Sequence, residues 1–547
     1  MIIPHFSSAF FWSLLWGSLF YSCASIAPPK GGPKDTTPPQ VVNESPANYH
    51  KNHVPGTPIR IEFNEFIEAR GLANTLVASP PLENQLAVSV NPKSVEIVID
   101  TPLLDQTTYS LYFGDAVKDF TEGNPLKDYV YIFSTGEQID SARLQGRAVD
   151  LLTGLAPEED IIAVAYKAEN DTGITKERPR YFANARESVF KLAYMKEARY
   201  RVYVLQDQNG NMFWDAGEPV AFNPDPIPAR ADTFTPLLFK LFKPVPRETK
   251  LDDYKLQHKA GLQLYFNKRL ERFSIEAMSK RTPDWKDFVH PEGDTVTVWF
   301  DSPLDTVRKF LLKEGDAVID TFEFDPNFAD SANTPKNVLK PITRIPGQIA
   351  WHKGVQLRMR YANPVIIDSS RPLLLYRDTI VVDTLSPITT QAQPNYIKVP
   401  LPAIEEPHRI EIPDSLFRDA YGNFQKQGKT IALKPADPQA YAVLEIELSL
   451  PEKNDYIVQL VNKKMKVVRS LIHPKNGPVK WNYLQPGSYK LRLIQDNNRN
   501  GHWDGGVFLD RQLPEPVQLP EKTIKLRANW EVLDVQVRWQ GQKSISP

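Results

Sequence analysis

Cysteine is almost absent: the chain of 547 residues has one, Cys23. A lone cysteine excludes an intramolecular disulfide framework, so its meaning lies in targeting, lipidation or packing. Glycine is not enriched, at 26 residues, which argues against a low-complexity chain. Neither sign of charge is in excess, with 65 Lys and Arg against 66 Asp and Glu, so there is no electrostatic footprint for a nucleic-acid partner or for anionic lipid. No second long apolar run follows Tyr21. The chain also lacks a Gly-x-Ser-x-Gly elbow, a phosphate-binding glycine loop and a dinucleotide fingerprint. Its nine histidines are dispersed, with no His-Glu-x-x-His pair and no cysteine partner, which argues against zinc.

What is present begins with an apolar stretch from Ala9 to Tyr21. It is shorter than the roughly 20 residues of a membrane span and has the size of a signal-peptide core. With Ser22 directly before Cys23 and Leu19 a little upstream, it resembles a bacterial lipoprotein signal. That resemblance implies a signal peptide over 1–22, a lipid on Cys23 and attachment to a membrane. Ala24 and Ser25, in place of Asp, resemble outer-membrane sorting. Residues 23–37 are rich in Pro and Gly, which hold the chain extended and make it a tether.

The remainder reads as strands. The 48 prolines stand well above a usual content of about 5% and, with ordinary glycine, point to many strand-bounding turns. Apolar and polar residues alternate in Ile59-Arg-Ile-Glu-Phe63, Val95-Glu-Ile-Val-Ile99, Tyr109-Ser-Leu-Tyr-Phe113 and Tyr129-Val-Tyr-Ile-Phe133. Period two over short runs bounded by Pro, Gly, Asn and Asp predicts half-buried antiparallel strands. The expected fold class is all-β, a series of tandem antiparallel β-sandwiches. Short helical candidates are confined to Phe273–Ser279 and Pro303–Leu312.

Pro38-Pro39-Gln-Val-Val42, Ser45-Pro46, Ile59 to Ile67, Leu104 to Gly114, Gly123-Asn124-Pro125 and Phe133-Ser-Thr-Gly136 follow one another in an order that resembles a bacterial Ig-like domain of the SbsA type. With the Gly31-Gly-Pro-Lys-Asp35 tether, the segment is similar to envelope lipoproteins of Bacteroidetes-type bacteria. The resemblance implies adhesion, scaffolding or spacing at the cell surface and brings no catalytic residues. From Leu144 to Gly154 and Ile161 to Tyr166 the chain looks like the start of a transthyretin-like or carboxypeptidase-regulatory-like sandwich.

An internal repeat then appears. Asp207-Gln-Asn-Gly-Asn-Met-Phe-Trp-Asp215 aligns without a gap to Asp496-Asn-Asn-Arg-Asn-Gly-His-Trp-Asp504, at an offset of 289 residues (496 less 207). Similar strands, Tyr200 to Gln206 and Tyr489 to Gln495, precede the two loops. A fainter echo joins Lys118-Asp-Phe-Thr-Glu-Gly-Asn124 to Arg418-Asp-Ala-Tyr-Gly-Asn423. The expected order is an Ig-like domain at 38–137, a transthyretin-like sandwich at 138–245, a β-rich domain of uncertain type at 246–339, a second Ig-like sandwich at 340–436 and a second transthyretin-like sandwich at 437–547.

The repeated loop carries the most specific chemistry. Oxygen-bearing residues at places one, three, five, nine and twelve, with a backbone carbonyl at seven, suit a hard cation such as Ca²⁺. Counting from Asp207 gives Asp207, Asn209, Asn211, Asp215 and Glu218, with Phe213 at the carbonyl place and Met212 where a glycine would make the turn. The second loop offers Asp496, Asn498, Asn500 and Asp504, with Gly501 at the turn and Val507 at the twelfth place. On this count it has two carboxylates against three, and the first loop is expected to bind more tightly. The same residues also suit plain turns between strands, since Asn and Asp side chains bond their own backbone. Trp214 and Trp503 would then cap a core.

Glu62, Glu65 and Glu68 are read as the solvent face and end of a strand, not an acid/base cluster. The expectation is a lipid-anchored binding or scaffold protein of the outer membrane, not an enzyme, whose partners are envelope or outer-membrane proteins. One concrete variant is an accessory lipoprotein of an outer-membrane complex. The alternative is an envelope glycan hydrolase with Ig-like accessory modules, whose catalytic part would have to lie in 246–339.

Overall fold

The alternation at Ile59–Phe63 sets the first sandwich: Ile59, Ile61 and Phe63 are buried while Arg60 faces solvent. A computed structural model describes residues 35–541 apart from 170–172, 186, 232–235, 259–260, 279–287, 301–307, 325–338, 340, 353–354 and 391–392. The expected signal peptide at 1–22, Cys23 and most of the expected tether at 23–37 lie outside the described residues. The chain divides into two compact units, Met1–Ala142 with Tyr194–Glu197, and Arg143–Ala193 with Ala198–Pro547.

In the first unit, Ile59–Phe63 lies between Val41–Ser45 and Ser94–Val98, and Ala87–Asn91 completes a four-stranded sheet. A three-stranded sheet orders Val77–Ser79, Thr108–Tyr112 and Val130–Ser134. Inward side chains of both sheets share one core around Ile61, Val95, Ile97, Leu111, Tyr131 and Phe133. A short pair, Ile67–Glu68 with Lys118–Asp119, lies outside the two sheets. There Asp119, 2% exposed, accepts the backbone N–H groups of Glu122, Gly123 and Asn124.

The second unit contains one topology twice. Ala142–Asp150 is flanked by Val189–Met195 and Leu237–Leu241 in a three-stranded sheet. The companion sheet orders Tyr181–Asn184, Ile162–Lys167, Ala198–Leu205 and Val220–Phe222, and Ile227–Ala229 also pairs with Ala198–Leu205. Later in the chain Ala442–Ser449 is flanked by Gly477–Leu484 and Glu531–Arg538. Its companion orders Val467–Ile472, Asp455–Asn462, Gly487–Asp496 and Val517–Gln518, with Ile524–Leu526 on Gly487–Asp496. The first and last strands of each copy pair in parallel. A third parallel pair joins Gln348–Trp351 to Lys429–Pro435, so the antiparallel rule has three exceptions among the described strands.

Between the copies lie two further sets of strands. Leu251–His258, Gly261–Phe266, Thr295–Trp299 and Phe288–Glu292 form one sheet, and Phe273–Ala277, Arg308–Glu314 and Ala317–Phe324 another. They share a core of Leu262, Leu264, Val296, Val298, Phe310 and Leu312. Both helical candidates are corrected here: Phe273–Ala277 is a strand, and the described part of the other, from Arg308, is a strand too. Phe310 and Leu312 are both fully buried, a period of two, and the turn at Gly315, with φ +61°, folds Arg308–Glu314 back on Ala317–Phe324.

Residues 341–435 build a five-stranded sheet, Gln348–Trp351, Lys429–Pro435, His408–Ile412, Leu373–Arg377 and Ile380–Leu385, and a three-stranded one, Gln356–Arg360, Gln393–Pro400 and Ile388–Thr390. Val365–Ile367 pairs with Phe417–Asp419 as Ile67–Glu68 pairs with Lys118–Asp119. Asp419, 2% exposed, accepts the N–H groups of Tyr421 and Asn423. The faint sequence echo is thus one buried-aspartate turn used twice.

Candidate functional site

The first Asp and Asn loop leaves strand Ala198–Leu205 and returns in Val220–Phe222. Asp207 accepts the N–H groups of Gly210, Asn211 and Met212 at 2.8, 3.2 and 2.8 Å. A carboxylate that caps three successive amides folds the turn by itself. The side-chain amides of Asn209 and Asn211 converge on Asp215 Oδ2 at 2.7 and 2.8 Å. Phe213 donates its N–H to Asn211 Oδ1 at 2.6 Å. Glu218, 4% exposed, closes the loop: its two oxygens accept the N–H groups of Gln208 at 2.9 Å and Asp215 at 3.1 Å. Trp214 donates its indole N–H to the Glu218 carbonyl at 2.9 Å.

The second loop repeats this scheme bond for bond in its main features. Asp496, 1% exposed, accepts the N–H groups of Asn500 and Gly501 at 3.2 and 2.8 Å. Asn498 and Asn500 converge on Asp504 Oδ2 at 2.6 and 2.7 Å. Met212 and Gly501 occupy the same left-handed turn position, with φ of +67° and +76°.

The third carboxylate of the second loop is present, which corrects the expectation drawn from Val507. Glu515 accepts the N–H groups of Asn497 and Asp504 at 2.6 and 3.0 Å, and Trp503 donates to its carbonyl at 3.1 Å. Glu218 follows Asp215 by three positions and Glu515 follows Asp504 by eleven, so eight inserted residues displace the counterpart. The repeated tripeptides Glu218-Pro219-Val220 and Glu515-Pro516-Val517 are the signal that could have found it. The ranking of the two loops by carboxylate count therefore loses its premise.

The second loop is also held by His473, which donates from Nε2 to Asp496 Oδ2 at 2.7 Å. Burial works to raise the Asp496 carboxyl, but hydrogen bonds from His473 and from the Gly501 and Arg499 amides hold it below its ordinary value. Glu515 goes the other way: burial, reinforced by the charges of Asp504 and Asp496, outweighs its two backbone donors and pushes it up.

Among the described residues, no three His, Cys, Asp or Glu side chains gather as a group that could hold a metal. The three carboxylates of each loop are spent on backbone amides and the Asn side chains. Glu62 is paired with Arg60 at 2.9 Å and Glu68 with Arg70, as befits the edge of a strand.

Residues 35–135 match the bacterial Ig-like domain family. No curated protein matches the chain. Among solved structures, the chain is similar to domains 1–6 of the surface layer protein SbsC, at 10% identity over 89% of this chain and 67% of that one, with a TM-score of 0.16. It is similar to BcpA, the major pilin subunit of Bacillus cereus, at 10% identity over 73% and 99% of the two chains, TM-score 0.14. It is also similar to alpha-2-macroglobulin of E. coli, at 9% identity over 88% and 42%, TM-score 0.14. At these TM-scores none of the three bears on function.

Proposed function

We propose that the protein is a lipid-anchored scaffold of the cell envelope, held at the outer membrane through Cys23 and presenting β-sandwiches to other envelope proteins. The observation that carries this is an Ig-like domain at 35–135 placed directly behind a Pro- and Gly-rich tether and a lone cysteine. Its mechanism is geometric. The lipid fixes one end, and packed sandwiches hold loops and strand edges at set places for a partner, such as an outer-membrane assembly, secretion or uptake complex. The Bacteroidetes-type lipoprotein resemblance supports the same reading, which includes no catalytic step. The test is affinity capture from native membranes of the full chain and of a Cys23→Ser form. Wild type is expected in the membrane fraction with co-purifying envelope proteins, and Cys23→Ser is expected to lose both. A wild-type protein found soluble, with a free thiol, would sink the proposal.

The Asp and Asn loops add a second element, calcium binding that stiffens each copy. By residue type, though not by their present arrangement, the loops suit a hard cation: Asp207, Asn209, Asn211, Asp215, Glu218 and the Phe213 carbonyl in the first, and Asp496, Asn498, Asn500 and Asp504 with Glu515 in the second. A cation would also offset the burial that, with the charges of Asp504 and Asp496, raises Glu515. In the present arrangement the Asn nitrogens, not their oxygens, face Asp215 and Asp504, so the amides would turn. A calcium titration of the melting temperature is expected to show a rise in wild type that shrinks in Asp207→Ala and in Glu515→Gln. A melting temperature indifferent to calcium leaves only turns.

A further inference from the structure

The eight-residue insertion that displaces Glu515 has a use of its own. It carries Phe508, 5% exposed, onto the first copy of the repeat, where the ring lies 4.6 Å from Trp214, 5.5 Å from Phe222 and 5.9 Å from Tyr203. The backbone follows: Val245 donates its N–H to the Gly506 carbonyl at 2.8 Å. A Cβ on Gly505 would stand 2.7 Å from Val245 Cγ2 and 3.3 Å from the Lys243 carbonyl, so a side chain there would push the two segments apart or force Val245 to move. Arg492, 8% exposed on strand Gly487–Asp496, donates to the Leu152 carbonyl of the first copy at 3.1 Å. The Asp496–Asp504 loop also reaches the bend between strands Gly261–Phe266 and Phe273–Ala277, where Arg269 Nη2 donates to His502 Nε2 at 2.9 Å and Asn500 donates to Glu271 at 3.3 Å.

We infer that residues 505–514 form a clasp that fastens the last sandwich to the sandwich at 142–242, and that its release lets the last sandwich swing free and uncovers the aromatic face of Tyr203, Trp214 and Phe222. Three features separate a clasp from an incidental touch. The anchoring ring belongs to a segment that the first copy of the repeat does not have. Its pocket is built from three rings of the other copy. The peptide at the crossing point is glycine where any side chain would collide. The insertion contributes little to its own sandwich, since Glu515 closes the second loop with the same bonds that Glu218 uses without any insertion. Chain connectivity keeps the freed sandwich close, so the open form can reclose.

The clasp is tested by hydrogen exchange on the full chain. Val245 lies between Pro244 and Pro246, so its amide is read almost alone. Truncating an aromatic anchor commonly shifts such an equilibrium by about 30-fold or more. Phe508→Ala is expected to speed exchange at Val245 by that factor and to raise the radius of gyration, whereas Leu509→Ala, at a neighbour 59% exposed, leaves both as in wild type. Gly505→Val, which wedges the crossing without touching the ring, is expected to act like Phe508→Ala. Unchanged Val245 protection in either folded variant overturns the inference. So does loss of protection throughout Ala442–Ser449 in both, which would make the insertion part of its own sandwich's core.

Discussion

Met212 is the residue at which the first loop departs from its twin. It holds φ +67° with a full side chain, where the second loop uses Gly501 at +76°. The left-handed conformation costs an L-residue about 1–2 kcal/mol, and glycine returns about 0.5–1 kcal/mol of that through its freer unfolded chain. Met212→Gly should therefore raise stability by about 0.5–1 kcal/mol. Urea unfolding followed by tryptophan emission checks this, because Trp214 reports on the same loop. At this scale the turns are legible in the sequence: its ungapped repeat pairs Asp207 with Asp496 and Met212 with Gly501. Glu515 was hidden because alignment without gaps cannot see a counterpart moved by eight positions, although the carboxylate still reaches the same two amides.

Among the elements, the strap Asn48–His53 along strand Val130–Ser134 has a titratable fastening. Tyr49 donates its N–H to Ile132 at 2.7 Å, Ser134 donates to His50 at 3.0 Å and His53 donates to Ser134 at 2.9 Å. The rings of His50 and His53 meet at 2.7 Å between Nε2 and Nδ1, and the hydroxyl of Tyr131 lies 3.2 Å from His50 Nδ1. His53 is 5% exposed and its Nε2 has no partner. Burial, with His50 adding to it, lowers its pKa to about 4 from an ordinary 6.5. A depressed histidine binds its proton more readily in the unfolded chain. Its contribution is therefore complete above pH 6.5 and is lost as pH falls toward 4, on the order of 2–3 kcal/mol. Calorimetry of wild type and His53→Phe at pH 7 and 4.5 should show the first unit of wild type weakening more on acidification. Equal losses in the two proteins would remove His53 from the account.

The element scale also shows why some strands were legible and others were not. Ile59–Phe63 and Thr295–Trp299 alternate cleanly and lie as strands. Phe273–Ser279 and Pro303–Leu312 read as short helices because Phe273 and Ala277, and Leu304, Val307 and Leu311, also stand three or four residues apart. What makes Phe273–Ala277 and Arg308–Glu314 strands is mutual pairing across more than thirty residues, Phe273 with Glu314 and Ala277 with Phe310, which no local pattern contains. The contact of Phe508 with Trp214 was likewise unreadable, since it depends on how two sandwiches meet.

For the whole molecule, a chain with one cysteine holds its described sandwiches by packing and hydrogen bonding, with separate cores around Ile61, Phe310, Ile431 and Leu491. In the second unit the two copies of one topology are brought together by a loop that only the later copy possesses. The clasp decides which surfaces are presented, and the proposed lipid at Cys23 gives them an address. The direct measurement is the intact mass of the protein extracted from native membranes. The expected result is a polypeptide beginning at Cys23 and heavier than its sequence by a lipid group, absent from Cys23→Ser. A mass equal to the unmodified chain, with a thiol at Cys23 that reacts freely, would contradict it.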